Sequence, residues 1–384
     1  GLVGSEMCIR DSHQVLPPVP GPQSYFVLLL WPLVILVLYQ KLPFRKALIW
    51  SFVSSYLFLP AAWVVNIPLP VLPSLDKNFV PVLAILIIGG MTLRKVKTRM
   101  LIATRRGQEI SETVSFGQPG VLPSTVVGRV LVILIISGVF MTILANYDDV
   151  EYGFTVLPGL GFTDAIGNAL NTLVMIAPLL LGRKYLSDDD SHKALLTIMV
   201  MAALGYSVLA LYEIRLSPQI NNMVYGFFPH SFAQHIRPGG FRPLVFLDHG
   251  LLLGIFFSCA AIGAAVLIRM SSSATRLGYV LAFFYLVGVL YLAKTLGAML
   301  IAMLMLPVAL LLPIRLQLIT AALIAGTALT YPIIRGANLV PMEQMVEIAA
   351  NYDEDRARSL AFRFYHEDKL LEKANERPIF GWGT

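Results

Sequence analysis

Long apolar runs alternate with short polar connectors over most of this chain. A helix needs about 20 mostly apolar residues to cross a bilayer. Ten stretches approach that length: 25–40, 47–65, 78–93, 127–146, 163–182, 194–212, 249–268, 277–293, 295–312 and 316–334. The third and eighth are short. The pattern predicts an all-α fold, a polytopic transmembrane helical bundle of about ten spans within residues 13–334. Beyond 334 the period changes. PMEQMVEIAANY and DEDRARSLAFRFYHEDKLLEKANERP read as amphipathic helices, the start of a large outer loop over 335–384. Acidic residues open the second, where the helix dipole favours them, and Asn375 and Pro378 close it. No internal repeat is visible, and PPVPGP (17–22) is a stiff lead-in. Gly250 and Gly254 form a GxxxG that permits close helix packing at the start of the seventh span.

Composition agrees. The 384 residues are 57% hydrophobic and 14% charged, with mean hydropathy +0.72. Soluble domains lie near 45–50% apolar and about 25% charged. The basic balance does not point to nucleic acid, because the Lys and Arg residues cluster between apolar runs. Fifteen of them, including Lys41, Arg45, Arg94, Lys95, Arg183, Arg269 and Arg315, fall on one set of alternate connectors. The opposite set carries five: Lys77, Arg215, Arg237, Arg242 and Lys294. The basic side should be cytoplasmic. NYDDVEYGF (146–154), the loop from about 213 to 248 and everything after the tenth span then lie outside. Two cysteines give no disulfide framework. The first twelve residues, GLVGSEMCIRDS, resemble a translated sequencing adaptor and are excluded from fold reasoning.

Two outer segments are candidate sites. The first runs from Tyr212 to Gly250 and holds Arg215, Arg237, Arg242, His230, His235, His249, Glu213 and Asp248. Arg237 and Arg242 flank Pro-Gly-Gly, which favours a tight turn that would draw the two guanidiniums together. Paired guanidiniums suit phosphate oxygens, either of a substrate or of lipid headgroups. His230 and His235 are five apart, a spacing that fits no single helix face, so no metal site is expected. His249 sits where the loop re-enters the membrane, beside Asp248, either as a functional group or as a histidine satisfied by a backbone carbonyl at a helix start. The second segment is the tail. Arg356, Ser359, Arg363, His366 and Leu370 fall on one helical stripe, as a binding face or as a solvated one with Glu367 and Asp368 as partners. Lys294, between the eighth and ninth spans, either snorkels to the interface or points into a cavity.

Three of these elements resemble the superfamily of O-antigen ligases and O-antigen polymerases. ANERPIFGWGT is similar to the Pro-apolar-Gly-x-Gly turn that ends a helix of that family's large outer loop. RPGGFRPLVFLDHGLLLGIF is similar to its earlier arginine-bearing loop, and LAKTLGAML, with Lys294 and Thr295, to its basic-hydroxyl hairpin in altered order. The resemblance covers the chain from about residue 25 onward. It implies a multi-pass protein of the bacterial inner membrane, active at the periplasmic face. The chain would be cut short at its C-terminus, with the family's catalytic histidine beyond Thr384. The implied reaction moves a glycan from an undecaprenyl-diphosphate carrier to an acceptor glycan or lipid A-core, among membrane lipids. It needs neither metal nor cofactor. Arg242 and His249 are then the expected catalytic residues. Arg237, Arg242, Arg356 and Arg363 would bind diphosphate, supported by Asp248, which would orient His249, and by Arg215, Lys294 and His366. A multi-span transporter is the alternative, although transporters tend to bind at midplane on broken helices.

Overall fold

The computed structural model describes residues 21–61, 64–65, 73–105, 120–152, 155–237, 239–351, 354–378 and 382. For 99–105, 355 and 356 it describes the backbone alone. The chain is helical nearly throughout. In order come α1 (Pro22–Lys41), α2 (Phe44–Phe58), α3 (Phe79–Ala84), a π-helical turn (Ile85–Gly89) and α4 (Gly90–Arg105). Then follow α5 (Val126–Ala145), β1 (Val150–Tyr152), β2 (Thr155–Leu157), α6 (Phe162–Tyr185), α7 (Asp189–Leu216) and α8 (Ile220–Tyr225). A 3-10 turn (Phe232–His235) leads to β3 (Ile236–Arg237) and β4 (Gly240–Phe241). The remainder is α9 (Gly250–Met270), α10 (Ser273–Leu292), α11 (Leu296–Leu311), α12 (Ile314–Gly336), α13 (Met342–Ala350) and α14 (Glu354–Asn375). The two strand pairs are minimal antiparallel ribbons.

Among the described residues, eight helices are long and apolar enough to cross a membrane, rather than the expected ten. The shortfall is not where the sequence suggests. The third segment reaches full length, Phe79–Thr98, because its helix continues through the π turn into Arg94, Lys95 and Lys97. The eighth is also full length, Ser273–Leu292. The second and ninth are the short ones. α2 has 15 residues, because Pro60 cannot continue a helix, and α11 has 16, ending ahead of Pro313. At 1.5 Å per residue each covers about 22–24 Å, less than the ~30 Å hydrocarbon core. The tail forms the two helices its pattern predicts, α13 and α14.

The chain divides into two compact units. The first comprises Gly1–Arg129 and Leu170–Leu310, the second Val130–Ala169 and Leu311–Thr384. The core of the first unit is centred on α9, the most buried of the apolar helices. Ala260, Ala261, Gly263, Ala264 and Ala265 keep its surface low, so neighbouring helices approach closely. A Cβ on Gly254 would lie 2.8 Å from Thr295 Cγ2 and 3.0 Å from Ala298 Cβ, so half of the GxxxG does serve close packing, against α11. Ser258 Oγ donates to the carbonyls of both Gly254 (2.9 Å) and Ala298 (2.8 Å) at the same crossing.

Buried irregular backbone must find its hydrogen-bond partners within the protein. Leu244–Leu247 is such a segment. All four residues are buried and none is helical. Glu213, fully buried near the end of α7, accepts from Leu244 N and Val245 N at 2.8 Å each and from Ile220 N at 3.0 Å. Tyr206 accepts from Phe246 N at 3.1 Å and donates to the Leu57 carbonyl at 2.8 Å. Tyr225 donates to the Phe58 carbonyl. One carboxylate and two phenols thus pin the loop after α7 onto the end of α2. Val245 is held at φ +54°, a left-handed conformation unfavourable for a β-branched residue, and its N–H bond to Glu213 helps hold it there.

In the second unit Arg335, at the end of α12, is buried with its guanidinium on Glu367 (3.3 Å) and Asp368 of α14. Trp382 donates to the Lys373 carbonyl (2.8 Å), with the Lys373 ammonium and the Arg377 guanidinium over its ring at 3.8 and 4.1 Å.

Candidate functional site

The loop between α7 and α9 carries the densest chemistry. It leaves α7, turns through α8 at left-handed Gly226, and runs into the β3–β4 hairpin. Arg237 pairs with Gly240 and Ile236 with Phe241. Arg242 N donates to the His235 carbonyl at 2.8 Å, which extends the ladder by one step. The expected tight turn is therefore formed, with Gly239 at φ +71° and Gly240 at φ +140°. The two-residue alternation of strands puts His235, Arg237 and Arg242 on one face of the ribbon.

The Lys294 ammonium reaches over this turn. A Cβ on Gly240 would lie 3.0 Å from Lys294 Nζ, and one on Gly239 3.6 Å from it. Lys294 itself is at φ +53°, between α10 and α11. The stem of Arg242 lies flat on Gly250, where a Cβ would come within 2.5 Å of Arg242 Cγ. Gly250 is thus required for the approach of Arg242, a use of the GxxxG that helix packing does not predict.

His249 is the N-cap of α9, its Nδ1 accepting from Leu251 N at 3.0 Å. It sits at a helix start, but its partner is a backbone N–H and not the expected backbone carbonyl. Asp248 does not orient it, because the Asp248 carboxylate is paired with Lys77 Nζ at 2.8 Å. Burial, then the positive fields of His230, Arg242 and Arg237, lower the pKa of His249. His249 is therefore a neutral imidazole at pH 7.

His235 is fully buried. Its Nδ1 lies 3.1 Å from the Arg242 carbonyl, which fixes the proton on Nδ1 and leaves the lone pair on Nε2. That Nε2 is buried with no hydrogen-bond partner. Burial is the main cause holding the pKa of His235 down to about 4. His230, exposed, accepts at Nδ1 from Ser231 N at 2.8 Å. The rings of His230 and His249 are 4.8 Å apart, those of His235 and His249 5.3 Å, and those of His230 and His235 6.1 Å. Phe228 closes one side of His235 at 5.5 Å. One ring nitrogen from each histidine falls within 4.8 Å of the others. The i,i+5 spacing of His230 and His235 gave no hint of this, because the hairpin and the α9 N-cap assemble the trio rather than a helix face.

The other expected site residues are placed differently. Arg215 is exposed in the last turn of α7 and is not part of the cluster. Arg363 and His366 are exposed on α14 in the second unit, with His366 packed on Phe362 at 4.2 Å between ring centres. The side chain of Arg356 lies outside the described residues. Glu367 and Asp368 are committed to Arg335. Glu213 and Tyr206, which carry the loop, were missed as its supports. The visible signal was a glutamate in the last turn of a long apolar helix, where an unpaired charge would be costly.

No family model matches the sequence, and neither a curated protein nor a solved structure matches it.

Proposed function

We propose that the chain transfers a glycan from an undecaprenyl-diphosphate carrier to an acceptor sugar at the outer face of the bacterial inner membrane. The observation that carries this is the hairpin that sets Arg237 and Arg242 on one ribbon face, with the Lys294 ammonium over its Gly239–Gly240 turn, on a loop that leads into an apolar helix. A departing diphosphate needs cations already in place where its charge develops. Arg242 is held by packing on Gly250 and by the ladder to His235, so its position is set before substrate arrives. The guanidiniums are planar forks for phosphate oxygens, and the Lys294 ammonium is a point charge beside them. His249, neutral, contributes an imidazole to bind or position the acceptor hydroxyl. Apolar faces on α1, α5 and α10 suit a polyprenyl chain arriving through lipid. The basic connectors on the opposite set put this loop outside.

Transport fits less well. Glu213, the buried carboxylate at the loop base, has both oxygens occupied by backbone N–H groups, which leaves it poorly placed to take a coupling ion.

The test uses detergent solution, where no second compartment exists and only a transferase gives product. The purified chain is mixed with an undecaprenyl-diphosphate oligosaccharide that serves as both donor and acceptor. Release of undecaprenyl diphosphate with a lengthened glycan is expected, and about 100-fold less from Arg242→Ala. An unchanged rate in Arg242→Ala removes the cradle, and absence of both product and undecaprenyl-diphosphate binding removes the transferase.

A further inference from the structure

We propose that His230, His235 and His249 form a binding site for a divalent transition metal, with zinc the best fit to an all-imidazole ligand set. This goes beyond glycan transfer, which needs no metal. Three observations meet here. A ring nitrogen from each of the three lies within 4.8 Å of the other two. Nε2 of His235 is fully buried, carries a lone pair and has no partner. A buried polar atom left in that state is costly, and a metal would satisfy it. Finally, His235 Nδ1 is held by the Arg242 backbone carbonyl, the usual arrangement behind a metal-ligating imidazole, which fixes the ring and its tautomer.

The geometry also states what must change. Zinc–nitrogen bonds are about 2.0–2.1 Å, so nitrogens on one tetrahedral zinc are about 3.4 Å apart. The widest pair of the trio must close by up to about 1.4 Å. His235 is the fixed member. His230 is exposed on irregular backbone and His249 is only half-buried, so those two rings are the ones free to move. Each now accepts one local backbone N–H at Nδ1, from Ser231 and Leu251. Ligation gives up a single capping contact per ring, either by taking Nδ1 for the metal or by moving the proton there so that Nε2 binds. The Arg237 and Arg242 guanidiniums oppose a bare cation. Three neutral imidazoles leave the fourth position open, and an anionic oxygen there, from hydroxide or from a phosphate, offsets that repulsion.

The test takes the full chain, purified in detergent with a histidine-free affinity tag, stripped with EDTA and titrated with Co2+. The expected result is one Co2+ per chain with the visible absorption of a tetrahedral site, displaced by Zn2+. His235→Ala and His249→Ala should weaken binding by at least about tenfold. His235→Ala carries a risk of misfolding. His230→Ala is therefore the control: it is exposed, so its metal-free melting point should match wild type while its affinity falls at least about tenfold. Substoichiometric uptake by wild type, or equal binding by wild type and His230→Ala, overturns the proposal. The readout is independent of turnover, so metal binding without glycan transfer keeps this site and rejects only the function proposed above.

Discussion

Glu213→Gln isolates the group on which the loop depends. The carboxylate accepts three backbone N–H bonds, one on Oε1 and two on Oε2. An amide keeps the shape but turns one oxygen into a donor. In its better orientation the NH2 faces Ile220 N–H, so that bond is lost and two donors oppose each other. The bonds to Leu244 and Val245 survive but lose their charge assistance. Hydrogen bonds to charged groups are worth about 1.5–3 kcal/mol, and a buried donor left unpaired costs about 1–3 kcal/mol. The substitution should therefore destabilise by roughly 2–4 kcal/mol. Glu213→Ala, which strands all three donors and leaves a cavity, should cost at least as much, about 3–5 kcal/mol. For a unit of this size about 2 °C of melting temperature accompanies each kcal/mol. Thermal unfolding in detergent should thus fall by several degrees for Gln and further for Ala. Proteolysis should appear first between His230 and Arg242, the stretch the staple supports. A Gln variant that melts within about 1 °C of wild type would refute the staple.

Gly250→Ala should place a methyl within 2.5 Å of Arg242 Cγ and 2.7 Å of the Pro243 carbonyl, costing about 1–3 kcal/mol and displacing Arg242. Its melting point and its transfer rate should fall together, and an unaffected rate would show that the Arg242 position is not demanding. His235 is neutral when folded, with a pKa near 4 against 6.5 for the free side chain. Below pH 6.5 the unfolded chain takes up the proton and the folded chain does not, so stability is lost as pH falls from about 6.5 toward 4. The loss should approach about 3 kcal/mol in metal-free protein. Melting curves in chelator from pH 8 to 4.5 should slope more steeply for wild type than for His235→Gln, and parallel slopes would contradict the assignment. Asp248→Asn breaks the pair with Lys77, whose side chain is 10% exposed, and should cost about 1–3 kcal/mol, with little effect on His249.

The apolar periodicity made most of the helices legible, along with the two tail helices, and turn chemistry gave the hairpin at Gly239–Gly240. The periodicity misjudged which spans are short, because a run of apolar residues does not show where Pro60 and Pro313 stop the helix, nor that charged Arg94, Lys95 and Lys97 prolong one. Arg242 and Lys294 could be named from their loops, but the seat of Arg242 on Gly250 and the reach of left-handed Lys294 over the hairpin turn depend on the fold. The histidine trio escaped altogether. Residues 230, 235 and 249 have no common period, and only the fold of the intervening loop brings them within reach. Glu213 was read as a loop charge, whereas it is an internal acceptor whose partners lie up to 32 residues away.

The most direct measurement is equilibrium binding of undecaprenyl diphosphate to the protein in nanodiscs, compared with undecaprenyl monophosphate and with the Arg242→Ala and Lys294→Ala variants. A cradle built from Arg237, Arg242 and Lys294 predicts that the diphosphate binds more tightly than the monophosphate. Each substitution should weaken diphosphate binding by about tenfold or more while the fold remains intact, since each removes one charge-assisted contact. Equal affinity for the two lipids, or variants that bind as wild type does, would contradict it.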